Sequence, residues 1–223
     1  MVEMSELLDL FSTQFRRFVY DNFSTTESMN EAVTQTGEIT KYLTEVELAT
    51  GIQEGSTAKI YYNFPAFNPL YSDMFFKLQF TSIESILAFV GFKKTAADPT
   101  FDMTESHAGF MFKDGSVYAS TGDSDLLNPR QQRTPISGMV PTNNLVYRIV
   151  KDRFATYPVP VIEPYFDGIE AVRTAREWSN DQQNGDVTPE NSDHYFILFI
   201  KNNTGADKAV RIKFFLYGER YAD

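Results

Sequence analysis

Short stretches rich in β-branched and aromatic residues, separated by turn-forming residues, recur along the chain from about residue 36 to its end. Such runs are typical of strands, and many of them at short, regular spacing indicate a sandwich or jelly roll. The pattern contains neither an internal repeat nor an interdomain linker. We therefore predict one all-β sandwich domain over residues 36–223.

The most specific local pattern is the hairpin GFMFKDGSVYAST at residues 109–121. Asp114–Gly115 suits a two-residue turn, because both central positions of that turn require positive φ. The turn fixes the register, so we predict that Phe112 pairs with Val117 and Phe110 with Ala119. These four apolar residues would then lie on one face.

The chain closes with HYFILFIKNN and AVRIKFFLYGERY, joined by a turn around Thr204–Gly205. This arrangement predicts a long terminal hairpin. The first of its strands is apolar on both faces, which is typical of the centre of a sheet.

The N-terminal region has a different period. Apolar residues recur at helical spacing over residues 5–20, with Ser5 as a candidate N-cap and acidic residues in the first turn. We predict a short amphipathic α-helix within an arm that covers residues 1–35. The arm either packs on its own domain or docks on a neighbouring subunit through its apolar stripe, Leu7, Leu8, Phe11, Phe15 and Phe18.

Composition and charge narrow the function classes. The formal net charge of −10 argues against binding nucleic acid or an anionic membrane, since both require clustered Lys and Arg. The absence of cysteine excludes disulfides and thiolate chemistry. The N-terminus has its acids before its Arg pair, the reverse of a signal peptide, and no apolar run reaches 18 residues. We expect a chain made in the cytoplasm, with no membrane span.

The run from GFKKT through DMTESHAGFMFKDGSVYAST, followed by QQRTPI and LVYRI, resembles the concanavalin A-like jelly roll of lectins and glucanases. The resemblance covers about residues 36–223 and lies in the order of strands, hairpin and loop. It implies a jelly-roll β-sandwich. Members of this superfamily occur as sugar-binding modules, as glycosidases and as domains on phage fibres and capsids, so the resemblance predicts architecture better than activity.

Catalytic motifs are missing from the sequence. Glycoside hydrolysis needs two carboxyl groups that face each other across the sugar, and the E-x-D-x-x-E pattern of the glucanases that the fold resembles is absent. The nearest acidic pairs are Asp102 with Glu105 in a predicted loop, and Glu45 with Glu47 on one strand face. No serine elbow or phosphate-binding loop is present. We predict that the protein is not an enzyme.

Metal chemistry has few candidates. The loop after the Asp114–Gly115 hairpin contains Asp123, Asp125 and Asn128, whose oxygens suit calcium, although a simple polar turn is the favoured interpretation. His107 and His194 lack the spacing of metal ligands and are expected to be hydrogen-bonded structural residues. No cofactor other than this calcium ion is expected.

Sugar recognition needs exposed aromatic rings beside polar groups. Trp178 leads into a long polar loop, with Tyr165, Arg176 and Asn180 as neighbours that would complete a glycan-binding surface. The competing interpretation is that Trp178 packs into the core.

These observations fit a virion structural protein best, such as a capsid decoration, vertex or fibre-type component. We predict that it is non-enzymatic, assembles as a homo-oligomer with other virion proteins, and is made in the host cytoplasm before it enters the virion. The alternative is a carbohydrate-binding module for cell-surface glycans.

Overall fold

The structure, a computed structural model, describes residues 15–21, 29–63, 65–69, 72–123, 131–136, 138–151, 158–159 and 189–220. These ranges contain fourteen strands: β1 (Phe15–Asp21), β2 (Met29–Thr34), β3 (Glu38–Lys41), β4 (Val46–Ala49), β5 (Thr57–Tyr62), β6 (Ser72–Phe80), β7 (Ile86–Lys93), β8 (His107–Lys113), β9 (Ser116–Gly122), β10 (Gln131–Ile136), β11 (Leu145–Lys151), β12 (Pro158–Val159), β13 (Tyr195–Asn202) and β14 (Ala209–Arg220).

The strands form two antiparallel sheets. The first sheet has the order β12-β11-β6-β14-β4-β3. β1 pairs with residues 215–220 of β14, whereas β4 pairs with residues 209–212 of the same strand. The second sheet has the order β10-β9-β8-β7-β13-β5-β2. Among the described residues there is no helix long and apolar enough to cross a membrane.

Aromatic side chains fill the space between the two sheets. Residues alternate along each strand, so every second side chain faces the core, as in Phe196, Leu198 and Ile200 of β13. The Phe196 ring lies 4.5 Å from the ring of Phe215 on β14, measured between centroids. Eight phenylalanines pack in this core between the sheets, which accounts for a large part of the aromatic content of the chain.

The predicted Asp114–Gly115 hairpin is confirmed. It joins β8 to β9, and Asp114 (φ 48°) and Gly115 (φ 87°) both have the positive φ that its turn requires. Phe112 pairs with Val117 and Phe110 with Ala119, as predicted, and all four side chains are buried.

The predicted terminal hairpin is wrong. β13 is central, as expected, because it pairs with β7 and β5, but β14 lies in the first sheet and pairs with β6. The two strands meet face to face across the core, since each has an apolar row that needs a partner there. The connection crosses between the sheets and is held by Asn202, whose side-chain nitrogen donates to Gly51 O and whose Oδ1 accepts from Gly205 N.

The helix predicted over residues 5–20 is wrong for residues 15–20. These residues belong to β1, which pairs with β14 over Phe15–Asp21. β2 likewise pairs with β5, so both strands within the predicted arm of residues 1–35 are strands of the sandwich. Of the predicted assembly stripe, Phe15 and Phe18 lie on β1, and Leu7, Leu8 and Phe11 lie outside the described residues.

Replacing Phe196 by alanine tests how strongly the contact between the sheets stabilises the fold. Phe196 is fully buried and contacts the rings of Tyr62, Phe76 and Phe215. We expect Phe196→Ala to lower the free energy of unfolding by about 3–5 kcal/mol, through lost burial and the cavity left behind. The measurement is urea unfolding followed by circular dichroism.

The matched control is Leu43→Ala, because Leu43 is 89% exposed in the turn between β3 and β4. Its effect should stay within about 0.5 kcal/mol. Similar losses in both variants would contradict the assignment of Phe196 to the core.

Candidate functional site

The outer face of the second sheet, which points away from the core, is unusually apolar. Phe89 of β7, Met111 of β8, and Ile197 and Phe199 of β13 are buried there in a second hydrophobic cluster. A sheet face in contact with water would normally alternate to polar residues. This face is instead partly covered.

The cover is the connection between β7 and β8, residues 94–106, which we call the covering loop. Met103 packs in the cluster with Phe89 and Met111. The Phe101 ring meets Tyr118 of β9 edge to face, at a centroid distance of 5.5 Å. The covering loop therefore replaces water over the middle of the face.

Two of the partly exposed tyrosines on this face lie on the neighbouring strands β5 and β13, and we call them the tyrosine platform. Tyr61 of β5 pairs in register with Ile197 of β13, and Tyr195 lies two residues earlier on β13. Their ring centroids are 6.3 Å apart with an interplanar angle of 69°. Two half-buried rings on neighbouring strands form a rigid aromatic surface.

A carboxylate is held beside the platform. The buried ammonium of Lys59 lies 5.1 Å from the centre of the Tyr61 ring and donates to Asp98 Oδ1 at 2.5 Å and to Ala96 O at 2.8 Å. The Asp98 side chain is 50% exposed. Lys59 therefore connects the covering loop to β5 and holds a half-exposed carboxylate in the neighbourhood of the Tyr61 ring, since its ammonium is close to both.

A second lysine is buried under the same loop. Lys93, at the end of β7, is fully buried, forms an ion pair with Glu105 and donates to Thr95 Oγ1 at 3.0 Å. Thr95 donates its hydroxyl to Glu105 Oε2 at 2.6 Å. Burial lowers the pKa of Lys93 from its ordinary value, while Glu105 opposes that change.

Both histidines lie at this end of the sheet. His107 Nδ1 donates to the carbonyl of Glu105 at 2.7 Å, because a carbonyl can only accept, so His107 Nε2 accepts from the Ser120 hydroxyl at 2.8 Å. The His107 ring fits against β9 because Gly122 has no side chain; a Cβ there would lie 2.5 Å from Nδ1.

His194 repeats this arrangement. Its Nδ1 donates to Ser192 O at 2.7 Å, and its Nε2 accepts from the Ser106 hydroxyl at 2.7 Å. Burial lowers the pKa of each histidine to about 4, despite nearby carbonyls and carboxylates that favour the charged ring. Both rings are therefore neutral at pH 7, and the prediction that they are hydrogen-bonded structural residues is confirmed.

The acidic pairs singled out in the sequence are bound to cations. Glu47 accepts from Arg211 Nε at 2.5 Å, and Glu45 lies 3.7 Å from the same guanidinium, so the two do share one face, which belongs to the first sheet. Asp102 pairs with Arg133 at 3.1 Å, whereas Glu105 pairs with Lys93. Asp102 and Glu105 thus have separate partners rather than one shared site.

The sugar-binding residues proposed from the sequence, Trp178, Tyr165, Arg176 and Asn180, lie outside the described residues, as do Asp125 and Asn128 of the acidic loop. Asp123 is described and partly buried at the end of β9. Within the described ranges, no three His, Asp or Glu side chains are grouped as metal ligands would be. The glycan and calcium predictions for these residues stay predictions.

Reasoning from the sequence missed the tyrosine platform. One signal for it was present in the sequence, because β13 is apolar on both faces. Its outward face therefore needed a cover, and the residues at the edge of such a cover are partly exposed. The pairing of Tyr61 with Ile197, and of Lys59 with the covering loop, spans distances in sequence that no local pattern reveals.

No protein-family model matches the sequence, and no curated protein sequence matches it. Solved structures do match its fold. The β-glucanase of Bacillus licheniformis has a TM-score of 0.60 at 11% identity, over 91% of this chain and 98% of that one. The carbohydrate recognition domain of Emp47p has a TM-score of 0.56 at 7% identity, over 94% and 99% of the two chains.

A third structure, reported for endo-acting O-glycanases that prominent members of the human gut microbiota express to initiate mucin breakdown, has a TM-score of 0.58 at 9% identity, over 91% and 99% of the chains. These likenesses confirm the resemblance stated from the sequence: the chain has the concanavalin A-like jelly-roll fold of lectin domains and glucanases. At these identities they show the fold alone.

Protonation of the two histidines should destabilise the protein in acid. Their folded pKa of about 4 lies below the ordinary 6.5, so the unfolded chain binds more protons between these values. The stability that the neutral rings contribute is complete above about pH 6.5 and is lost as the pH falls through 4, by up to roughly 3 kcal/mol per histidine. The measurement is urea unfolding from pH 7.5 to pH 4.

The double variant His107→Gln/His194→Gln serves as the control, because it retains every carboxylate. The difference in unfolding free energy between the native chain and this variant should shrink towards pH 4. A difference that stays constant with pH would show that the histidines do not cause the loss of stability in acid.

Removing the charge of Glu105 should destabilise the covering loop. Glu105→Gln leaves the ammonium of the fully buried Lys93 without its carboxylate, and we expect a loss of roughly 2–4 kcal/mol in unfolding free energy. Asp102→Asn makes the same chemical change in the same loop at an 83% exposed side chain and should cost less than about 1 kcal/mol. Equal losses by urea unfolding would contradict this difference.

Proposed function

We propose that the protein is a non-catalytic carbohydrate-binding domain and that the tyrosine platform is its sugar-contacting surface. The observation that carries the proposal is the pair of half-buried rings, Tyr61 and Tyr195, next to the half-exposed Asp98 carboxylate. Sugar-binding sites combine apolar contact area with a few fixed polar groups, and this surface supplies both.

The chemistry of the platform suits a sugar ring. Aromatic rings offer apolar area to the C–H groups of a pyranose, and their hydroxyl groups add donors and acceptors. The Asp98 carboxylate accepts hydrogen bonds from sugar hydroxyls, and an ionised acceptor makes the stronger kind. Lys59 holds that carboxylate in place, so little conformational entropy is lost when a ligand binds.

Binding without cleavage is the form of the proposal that the described carboxylates favour. Glycoside hydrolysis requires one carboxyl group to be protonated while another faces it across the bond. Glu47 instead accepts from Arg211, Glu45 lies 3.7 Å from the same guanidinium, and Glu105 pairs with Lys93, so each of these carboxylates already has a cationic partner.

The structural neighbours support this proposal only at the level of the fold. One is named as a carbohydrate recognition domain and another as a β-glucanase, so the same sandwich presents sugar sites in both contexts. The virion role predicted from the sequence, with a homo-oligomeric arm and other virion proteins as partners, stays a prediction that sugar binding does not require.

Substituting the platform tests the proposal. We expect the native chain to bind members of a glycan array, and Tyr61→Ala and Tyr195→Ala each to weaken that binding about tenfold or more, because stacking area is lost. Tyr42→Ala is the matched control, since Tyr42 is 44% exposed at the end of β3, on the first sheet. Circular dichroism checks that each variant is folded.

The outcome that contradicts the platform is glycan binding that survives both substitutions. If Trp178→Ala removes binding while Tyr61→Ala and Tyr195→Ala do not, the surface around Trp178 is the sugar site and the platform is not. If no variant differs from Tyr42→Ala, neither surface binds sugar.

A further inference from the structure

A second aromatic site lies on the same outer face, at Phe101 in the middle of the covering loop. The ammonium of Lys113 on β8 lies 4.0 Å from the centre of the Phe101 ring, and the guanidinium carbon of Arg133 on β10 lies 3.9 Å from it. Gln131 donates to the Phe101 carbonyl at 3.0 Å, which holds the backbone at the base of that side chain. We call Phe101, Lys113 and Arg133 the cationic cluster.

The strand register explains why two cations approach one ring. Lys113 pairs with Ser116 of β9, and Arg133 pairs with Ser120. Tyr118 lies midway between these serines on β9, and its ring meets the Phe101 ring edge to face. Lys113 and Arg133 therefore reach the ring from positions on opposite sides of Tyr118.

Among the described residues, the two cations of the cluster have fewer carboxylate partners than charges. Within the described part of the chain, no carboxylate lies within ion-pair distance of the Lys113 ammonium. The Nη2 atom of Arg133 lies 3.1 Å from Asp102, while its Nη1 atom is buried and has no hydrogen-bond partner among the described residues. Two cations thus have one carboxylate, which is itself 83% exposed.

An anion would relieve this imbalance. Because both cationic groups lie about 4 Å from one ring, they are at most about 8 Å apart, where like charges repel. A carboxylate or sulfate beside the ring would be attracted by both cations, and the exposed part of the Arg133 guanidinium offers it donors. The partly exposed Phe101 and Tyr118 rings would meet the apolar part of the same ligand.

We propose that the cationic cluster binds the anionic group of an acidic sugar, a carboxylate or a sulfate, and so makes the domain selective for acidic glycans. This inference rests on the proposed carbohydrate binding. It assigns a ligand class that the overall charge of −10 does not suggest, since the cluster is a local positive site on an acidic chain.

Calorimetric titration with matched ligands tests the inference. The carboxylate arm compares oligogalacturonide with its methyl ester, and the sulfate arm compares a sulfated galactan oligosaccharide with its desulfated form. We expect at least one acidic ligand to bind about tenfold more tightly than its neutral partner, with an advantage that falls as salt is added. The arm that shows the advantage identifies the anionic group.

The variants locate the effect. Arg133→Gln and Lys113→Gln should each remove most of the preference and leave the affinity for the neutral ligand unchanged, whereas Asp102→Asn should increase the preference because it removes a competing carboxylate. Lys77→Gln is the control, since it removes one charge from a partly buried lysine on β6 of the opposite sheet. Arg133→Lys should restore only part of the preference, because lysine lacks the planar fork.

Two outcomes separate this inference from the proposed function. Equal affinity for acidic and neutral ligands, unchanged in Arg133→Gln, overturns the acidic selectivity and leaves sugar binding intact. The same conclusion follows if Lys77→Gln reduces the preference for the acidic ligand as much as Arg133→Gln does. If no oligosaccharide binds but glucuronate or inorganic sulfate shifts the NMR signal of the Arg133 Nε–H group, and neither has an effect in Lys113→Gln, the anion site stands and the proposed function falls.

Discussion

The apolar character of β13 on both of its faces is the constraint on which the rest of this structure depends. Its inward row, from Phe196 to Ile200, packs against β14 across the core, with Phe196 and Phe215 in direct ring contact. Its outward row, Ile197 and Phe199, must also leave water, because exposed aromatic and branched side chains lose the free energy of burial. The covering loop meets that requirement, and its presence creates the surroundings of every candidate residue on that face.

The covering loop buries polar side chains of the outer sheet face as well as apolar ones. Lys59 and Lys93 lie under the covering loop, and each has a carboxylate partner supplied by that loop, Asp98 and Glu105. His107 avoids a buried charge by remaining neutral and accepting from a serine. Burial of a polar group is tolerated when its hydrogen bonds are made, so these pairs both fix the loop and present Asp98 to solvent.

The contrast between the tyrosine platform and the cationic cluster follows from how completely charges are compensated. At the platform, Lys59 is matched by Asp98, and the surface is close to neutral. At the cluster, Lys113 and Arg133 approach one aromatic ring, and among the described residues only Arg133 has a carboxylate partner, the exposed Asp102. Neutral aromatic surface and a local excess of positive charge therefore lie on the same outer face, which is the arrangement that the proposed binding of acidic sugars requires.

Local chemistry in the sequence determined the strands, the Asp114–Gly115 hairpin with its register and the central position of β13, because alternation and turn conformation depend on neighbouring residues. It also indicated the jelly-roll class. It misjudged residues 15–20, whose apolar spacing suits a helix but which pair with β14 as β1, since sheet pairing outweighs local periodicity. The predicted terminal hairpin is wrong because β13 and β14 lie in different sheets and contact each other through side chains across the core. Only the tertiary structure joined Lys59 to Asp98, His194 to Ser106 and Lys113 to Arg133 through Phe101, because these contacts connect distant segments and are decided by how two sheets and one loop pack together.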